Sequence, residues 1–336
     1  MSFVTFGEIM MRLTALEHQI LRETNSFNIS FGGAEANVAI ALSGFGLQTT
    51  FFTGLPQNDF GEKAIRKLKK YDVDTQYIVK KEGRIGTYFV EEGFEFRPSK
   101  IIYDRANSVF STLELCDFNL EKILKDKKWF HFSGITPAIN DEMFNLLENI
   151  LKIAKAQGLT ISCDLNYRAS LWDFNTARNK MTKLLPYIDV LFGYEPINLK
   201  DKQGRDIKDG LNRLASIEEI QPILKEIHER YNIKYIAFTQ RKIFNSSCNR
   251  LQGFISDAQN IYETAKYEVK VLDRVGTGDA FTAGIIFGLV EKFALQDVVE
   301  FGISNMVYKH TVRGDYNFID AQTIQSITNS NKEINR

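Results

Sequence analysis

The apolar positions along this chain switch between two periods. Phe3 to Ile9 is an unbroken, β-rich apolar run, and Ala34 to Phe45 carries Ala36, Val38, Ala39, Ile40 and Leu42 at helical spacing. Thr50 to Thr53 reads as a short strand. Gly61 to Tyr71 reads as an amphipathic helix whose closing basic cluster suits the negative end of a helix dipole. Trp129 to Phe132 predicts a strand, Gly134 to Pro137 a turn, Asp141 to Gln157 a helix closed by Gly158, and Thr160 to Asp164 another strand. Asp189 to Gly193 and Tyr235 to Thr239 predict two more strands, with a helix over Ile217 to Tyr231 between them. Strand and helix alternating at this spacing predict an α/β fold, a mainly parallel sheet with crossover helices.

Two stretches break the rhythm. Leu13 to Phe31 and Gly86 to Ser108 have few helix signals. Gly86 to Glu91 alternates like an exposed strand and Phe94 to Arg97 does so again after Gly93, which predicts a small antiparallel layer outside the main sheet. No internal repeat is visible, and the polar tail from Thr328 to Arg336 is expected to fray.

Composition changes this picture only by exclusion. Lys plus Arg and Asp plus Glu are both 42, so the formal net charge is zero. That argues against a nucleic-acid partner, whose phosphates need surplus cations, but leaves room for a local basic pocket. A hydrophobic content of 44% excludes disorder for the bulk of the chain. Cys116, Cys163 and Cys248 are far apart and form no CxxC, so no disulfide framework is expected. No apolar run approaches the roughly 18–20 residues of a membrane span. A strand at Phe3 to Phe6, ahead of the first basic residue Arg12, does not read as a signal peptide. The expectation is a soluble cytoplasmic protein with no membrane partner.

Four segments carry candidate chemistry. In Asp273-Arg274-Val275-Gly276-Thr277-Gly278-Asp279 a Gly-rich turn runs straight into the apolar helix Ala280 to Val290. Backbone amides of Gly276, Thr277 and Gly278 at a helix N-terminus make an anion site. Asp279, in the first turn, could accept a proton from a hydroxyl attacking a phosphoryl group. On this segment alone an N-capping Asp explains it equally well. Gly32-Gly33 permits close backbone approach, and Asn37 four residues beyond can hydrogen-bond sugar hydroxyls, although a plain turn before a helix accounts for the pattern too. Asp164-Leu165-Asn166-Tyr167-Arg168 follows a strand end, where open α/β sheets bind ligands, and Arg168 suits a carboxylate or phosphate, or else a surface salt bridge. Tyr103-Asp104-Arg105 could close over an anionic sugar acid or be an ordinary charged strand edge. There is no GxxxxGK[ST], no HExxH and no GxSxG, and the four histidines lack ligand spacing.

The order of these motifs, together with Gly7-Glu8-Ile9-Met10, Arg97-Pro98-Ser99-Lys100, Gly134-Ile135-Thr136-Pro137, Lys309-His310-Thr311 and Gly314-Asp315-Tyr316-Asn317, resembles the ribokinase-like (phosphofructokinase-B) sugar kinases from Phe3 to about Ile327. The resemblance implies one ribokinase-like kinase domain over 1–336, with helices on both faces of a central sheet and a β-sheet lid from segments near 13–31 and 86–108. It implies ATP and Mg2+. Exposed strand edges in the small layer invite partners, so a homo-oligomer through lid strands is expected. By that pattern Asp279 is the base, and Gly276, Thr277 and Gly278 form the anion hole. Gly33, Tyr88, Tyr103, Arg105, Arg168 and Asp315 fall at substrate positions, and Asn166, Thr239 and Asn305 near the nucleotide. The implied activity is phosphorylation of 2-keto-3-deoxygluconate at its 6-hydroxyl. A kinase for another sugar, such as fructose or ribose, and a weakly active sugar-acid sensor are the alternatives. Two departures bear on the nucleotide. Tyr194-Glu195-Pro196-Ile197 stands where an Asn-x-x-Glu element is usual, and Thr239-Gln240-Arg241-Lys242 where glycine is usual.

Overall fold

The computed structural model describes residues 2–329; of the polar tail, 330–336 lie outside the description, and a helix Ala321–Asn329 covers its first positions. Nine strands of the described residues form one sheet. Its parallel part runs Val190–Phe192, Thr160–Asp164, Trp129–Ser133, Ser2–Phe6, Gln48–Phe52, continued on the Val190–Phe192 side by Tyr235–Asn245. Cys248–Ser256, Ile261–Glu263 and Tyr267–Lys270 complete it in antiparallel pairing.

The strands read as unbroken apolar runs because both faces are covered. Val4, Phe6, Phe130, Phe132 and Leu191 point to one side, where Asp141–Ala156, Phe174–Leu184 and Ile217–Tyr231 supply Leu147, Ile150, Met181, Leu184, Leu224 and Ile227. Their neighbours Phe3, Trp129, Val190 and Phe192 point to the other, against Ala34–Gly44, Thr277–Val290 and Leu295–His310. The period of two along each strand thus sorts one sequence run into two cores. No helix among the described residues is long and apolar enough to cross a membrane.

The layer outside the main sheet is present but differs from the expectation in two ways. It has four strands in the order Phe27–Gly32, Met10–Ala15, Thr87–Glu91, Lys100–Asp104, and the central pair is parallel. Phe94 to Arg97 is not a strand. Phe94 and Arg97 exchange backbone hydrogen bonds of 3.0 and 2.9 Å across a tight turn, and the edge strand begins later, at Lys100. Tyr235–Asn245 also runs six residues beyond the apolar Tyr235–Thr239, its polar half held by pairing with Cys248–Ser256.

Candidate active site

The Gly-rich turn is built as its sequence suggests. Gly276 sits at φ 76°, in the left-handed region, and a Cβ there would lie 1.5 Å from the Asp315 carbonyl oxygen, so both backbone shape and packing demand glycine. Helix Thr277–Val290 starts directly after it, and Thr277 Oγ1 donates to the Arg274 carbonyl at 3.0 Å. The amides of Gly276, Thr277 and Gly278 have no acceptor among the described residues, and Gly278 faces open space. Unsatisfied N–H groups at the positive end of a helix dipole form a hole for an anion.

Asp279 lies beside that hole in the wall of the cleft. Burial pushes its carboxyl up to about 7, helped by the nearby charges of Asp164 and Glu35 and opposed by Asn37 and Arg168. Asn37 Nδ2 donates to Asp279 Oδ2 at 2.6 Å, while its own Oδ1 accepts from the Gly33 amide at 3.3 Å. Asn37, expected to meet sugar hydroxyls, therefore spends one amide proton orienting the acid. Asp164 is likewise raised by burial, to about 6, with Arg168 and the Asn166 amide (3.1 Å) acting against the rise. Glu35, on which the sequence reading placed no role, is wholly buried below them and accepts from Ser133 N, Ser133 Oγ and Thr136 Oγ1 at 2.7–3.0 Å.

The two arginines singled out for a sugar acid differ in what they touch. Arg168 makes no ion pair or side-chain hydrogen bond among the described residues and lines the cleft, exposed. Arg105 is already paired: its Nε donates to Glu8 Oε2 at 2.9 Å, a second bond runs from Nη2, and Glu8 also accepts from Ser108 Oγ at 2.6 Å. Arg105 therefore differs from Arg168, since two of its five N–H donors are already spent on Glu8. Tyr88 stacks on Tyr103 with centroids 5.8 Å apart, and its hydroxyl donates to Asp315. Asp315 in turn accepts from Arg12 Nη1 at 2.7 Å.

Arg12 was not foreseen from the sequence. It is 1% exposed, and it donates to Asp273 Oδ2 (2.8 Å) as well as to Asp315. Burial works against its charge, but Asp315 and Asp273 outweigh burial and hold the guanidinium protonated. Asp273 meanwhile accepts from the amides of Val275 and Gly314 at 3.0 Å each. One arginine of the smaller sheet thereby ties that sheet to the Gly-rich turn. The signal in the sequence, an Arg inside an otherwise apolar strand, carries no clue to partners more than 260 residues away.

On the nucleotide side, Asn166 (φ 35°) and Thr239 line the cleft. Asn305 does not. It is fully buried, with Nδ2 on the Ala280 carbonyl (2.7 Å) and Oδ1 accepting from Asn317 (2.6 Å), so it braces the helix Thr277–Val290 from behind. Glu195 is held by Arg178, whose Nε lies 3.2 Å away, and by Lys208 at 3.6 Å. Among the described residues no three His, Cys, Asp or Glu side chains converge as a metal seat. Glu195 is thus committed to two cations.

The amides of Gly276, Thr277 and Gly278 and the side chains of Asp279, Asn37, Asp164, Asn166, Arg168, Arg105, Tyr88, Tyr103, Asp315 and Thr239 line one cleft of about 1580 Å3. A single small ligand occupies roughly 300–1,000 Å3, so the cleft has room for two.

Known proteins resemble the chain along most of its length. The model of the pfkB family carbohydrate kinases matches residues 2–320. The crystal structure of 2-dehydro-3-deoxygluconokinase from Thermotoga maritima superposes with a TM-score of 0.90 at 38% identity, covering 98% of both chains. A 2-dehydro-3-deoxygalactonokinase of Haloferax volcanii is 28% identical over 96% of this chain and 95% of its own. A candidate ribokinase II from E. coli, solved with ATP and Mg2+, has a TM-score of 0.79 over 98% and 99% of the two chains; at 20% identity it shows the fold alone. Sheet, lid, anion hole and family match converge: the chain belongs to the pfkB family of carbohydrate kinases.

Proposed function

We propose that the protein transfers the terminal phosphoryl group of ATP to the 6-hydroxyl of 2-keto-3-deoxygluconate, giving the 6-phospho ester and ADP. The observation that carries the sugar-acid reading is Arg168, a guanidinium with no acid bonded to it, lining the same cleft as Asp279 and the open amides. A neutral sugar offers that guanidinium no acid to bond, whereas a carboxylate meets it with charge-assisted hydrogen bonds. Arg105, held against Glu8, adds its remaining N–H donors from the lid side, and Tyr88 and Tyr103 form the apolar wall. Gly33 lines the cleft beside them, its missing Cβ making room for the Glu8 carbonyl.

Asp279 acts as the base. The hydroxyl oxygen forms its bond to the terminal phosphorus as the bond to the leaving ADP oxygen breaks, and the hydroxyl proton passes to the Asp279 carboxylate. Asn37 holds that carboxylate in place, and the amides of Gly276, Thr277 and Gly278 receive the charge on the moving phosphoryl oxygens. Preorganised donors of this kind are each worth about 2.7–4 kcal/mol of barrier in other enzymes. ATP is the donor, with Asn166 and Thr239 on its side of the cleft. Mg2+ is the metal expected with the nucleotide, and no step above is routed through it. The exposed edge strand Lys100–Asp104 supports pairing of two copies through their lids.

The test is ADP release with ATP and each of 2-keto-3-deoxygluconate, its galactonate epimer, fructose and ribose, with 31P NMR to locate the ester. Turnover of the gluconate acid at its 6-position supports the reading. Preference for the epimer would move the substrate to 2-keto-3-deoxygalactonate. Preference for a neutral sugar, or sugar-acid binding without turnover, would overturn it.

A further inference from the structure

A buried lysine stands behind the Gly-rich turn and takes no part in the steps above. Lys309 is fully buried near the carboxyl end of the helix Leu295–His310, where the negative pole of the dipole favours a cation. Its Nζ donates to the Val312 carbonyl at 2.9 Å, and it makes no ion pair among the described residues. An ammonium with one fixed acceptor is unfavourable to bury, and a methionine of similar shape would fill the space without that penalty. The charge itself calls for a reason.

Its surroundings supply one. The amides of Leu272 and Asp273 donate to the His310 carbonyl at 2.8 and 3.3 Å, so the end of this helix is fastened to the segment leading into the anion hole. Two buried carboxylates lie beneath the hole. Asp273 opens the Gly-rich segment, and Asp315 backs it, its carbonyl occupying the place of a Gly276 side chain. Arg12 is bonded to both, but one guanidinium cancels only one of the two negative charges. Their other partners, the Tyr88 hydroxyl and the amides of Val275 and Gly314, are neutral. His310 adds no charge near neutral pH, because burial lowers its pKa to about 4. With Arg12 alone, a net negative charge would stand directly behind amides that have to receive an anion. Lys309 is the second cation. Burial pushes its pKa below the ordinary lysine value, Asp273, Asp315 and Asp279 oppose that fall, and Arg12 adds to it. In a protein interior such charges act over several ångströms without contact.

We propose that Lys309 is a positioning residue whose ammonium, held on the Val312 carbonyl, balances the second of the two carboxylates beneath the Gly-rich turn and so keeps the anion hole receptive to a phosphoryl group. Its part in the reaction rests on the kinase reading, whereas the charge balance is also readable from anion binding.

The experiment compares the wild type with Lys309→Gln, with Asp315→Asn and with the two combined. Gln keeps a donor for the Val312 carbonyl and drops the charge. Asn keeps an acceptor for Arg12 and can donate to the Tyr88 hydroxyl oxygen. Two quantities are read: the midpoint of the acidic limb of kcat/KM, which reports Asp279, and the affinity for inorganic phosphate, from 31P line broadening. Lys309→Gln should raise the midpoint above the wild-type value of about 7 by roughly half a unit or more. It should weaken phosphate binding by about tenfold. Asp315→Asn should move both quantities the opposite way, and the double variant should return both towards the wild type. A lysine that only fills space predicts no opposite and cancelling shifts. Should Lys309→Gln not fold, Asp315→Asn and the charge-balanced double variant carry the same test. A midpoint and a phosphate affinity that ignore these charges, or that shift the same way in both single variants, would overturn the proposal. If it is overturned while the wild type phosphorylates a sugar acid, the kinase reading stands. If the wild type phosphorylates no sugar, the kinase reading falls and the phosphate affinities alone decide the role of Lys309.

Discussion

Asp279 concentrates the chemistry in one side chain, and its raised pKa has two consequences of opposite sign. Only the ionised form can take the hydroxyl proton, so kcat/KM should climb about tenfold per pH unit below about 7 and level off above it. A profile flat from pH 5 to 8 would remove Asp279 from the role. For stability, an acid whose folded pKa lies above its unfolded value favours folding fully below the unfolded value. That advantage is lost as pH rises through about 7. Asp279→Asn should therefore cost about two to four decades of turnover yet raise stability at pH 8 by about 1–2 kcal/mol, read as Tm. Near pH 3.5 the gain should vanish; an equal gain at both pH values would mean that ionisation is not the cause. The two arginines separate in a different assay. Arg168→Ala should lower kcat/KM for the sugar acid at least about tenfold while sparing the analogue with an alcohol in place of the carboxylate. Arg105→Ala strands Glu8, which is buried, so it should lower Tm and harm both substrates. Equal losses for acid and alcohol in Arg168→Ala would end the carboxylate assignment.

Among the elements, the lid strand Met10–Ala15 and the anion-hole turn are joined by Arg12 between Asp273 and Asp315. Removing the guanidinium leaves two buried carboxylates unpaired, a loss of about 3–5 kcal/mol. Arg12→Met is thus expected to unfold at clearly lower temperature. Arg12→Lys keeps the charge but cannot bond both acids at once, and it should fold with kcat reduced about tenfold or more and sugar-acid Kd nearly unchanged. A folded Arg12→Lys with normal kcat would show that the network only stabilises. This scale also marks where the sequence stops being legible. The Gly-rich turn leading into a helix could be read because turn and helix are contiguous, but the packing of Gly276 on the Asp315 carbonyl could not. The Arg12 network could not, because its members are 261 and 303 residues apart. The hydrogen bonds of Asn305 could not be read, because a position in a helix does not say which way its amide is committed. The polar half of Tyr235–Asn245 escaped notice because its strand character comes from pairing with Cys248–Ser256 rather than from its own apolar pattern.

Across the whole molecule, period-two runs sorted between two cores made the central sheet predictable, while the lid, with its exposed outer strand and mixed pairing, was legible only as a departure from that rhythm. The lid edge carries its own expectation. All five residues of Lys100–Asp104 are exposed, including Ile101, Ile102 and Tyr103, and an open apolar edge invites a second strand. Light scattering should find a dimer that Ile102→Lys converts to monomer; a wild-type monomer at tens of micromolar would contradict it. The folded molecule places an anion hole, a raised carboxyl and an unpaired arginine in one cleft with room for two ligands, and the central claim is that this cleft phosphorylates a sugar acid. The most direct measurement is the wild-type ratio of kcat/KM for 2-keto-3-deoxygluconate to that for its C1-alcohol analogue, with ATP in excess. One charge-assisted contact predicts a ratio of at least about ten in favour of the acid. A ratio near one, or below it, would contradict the account.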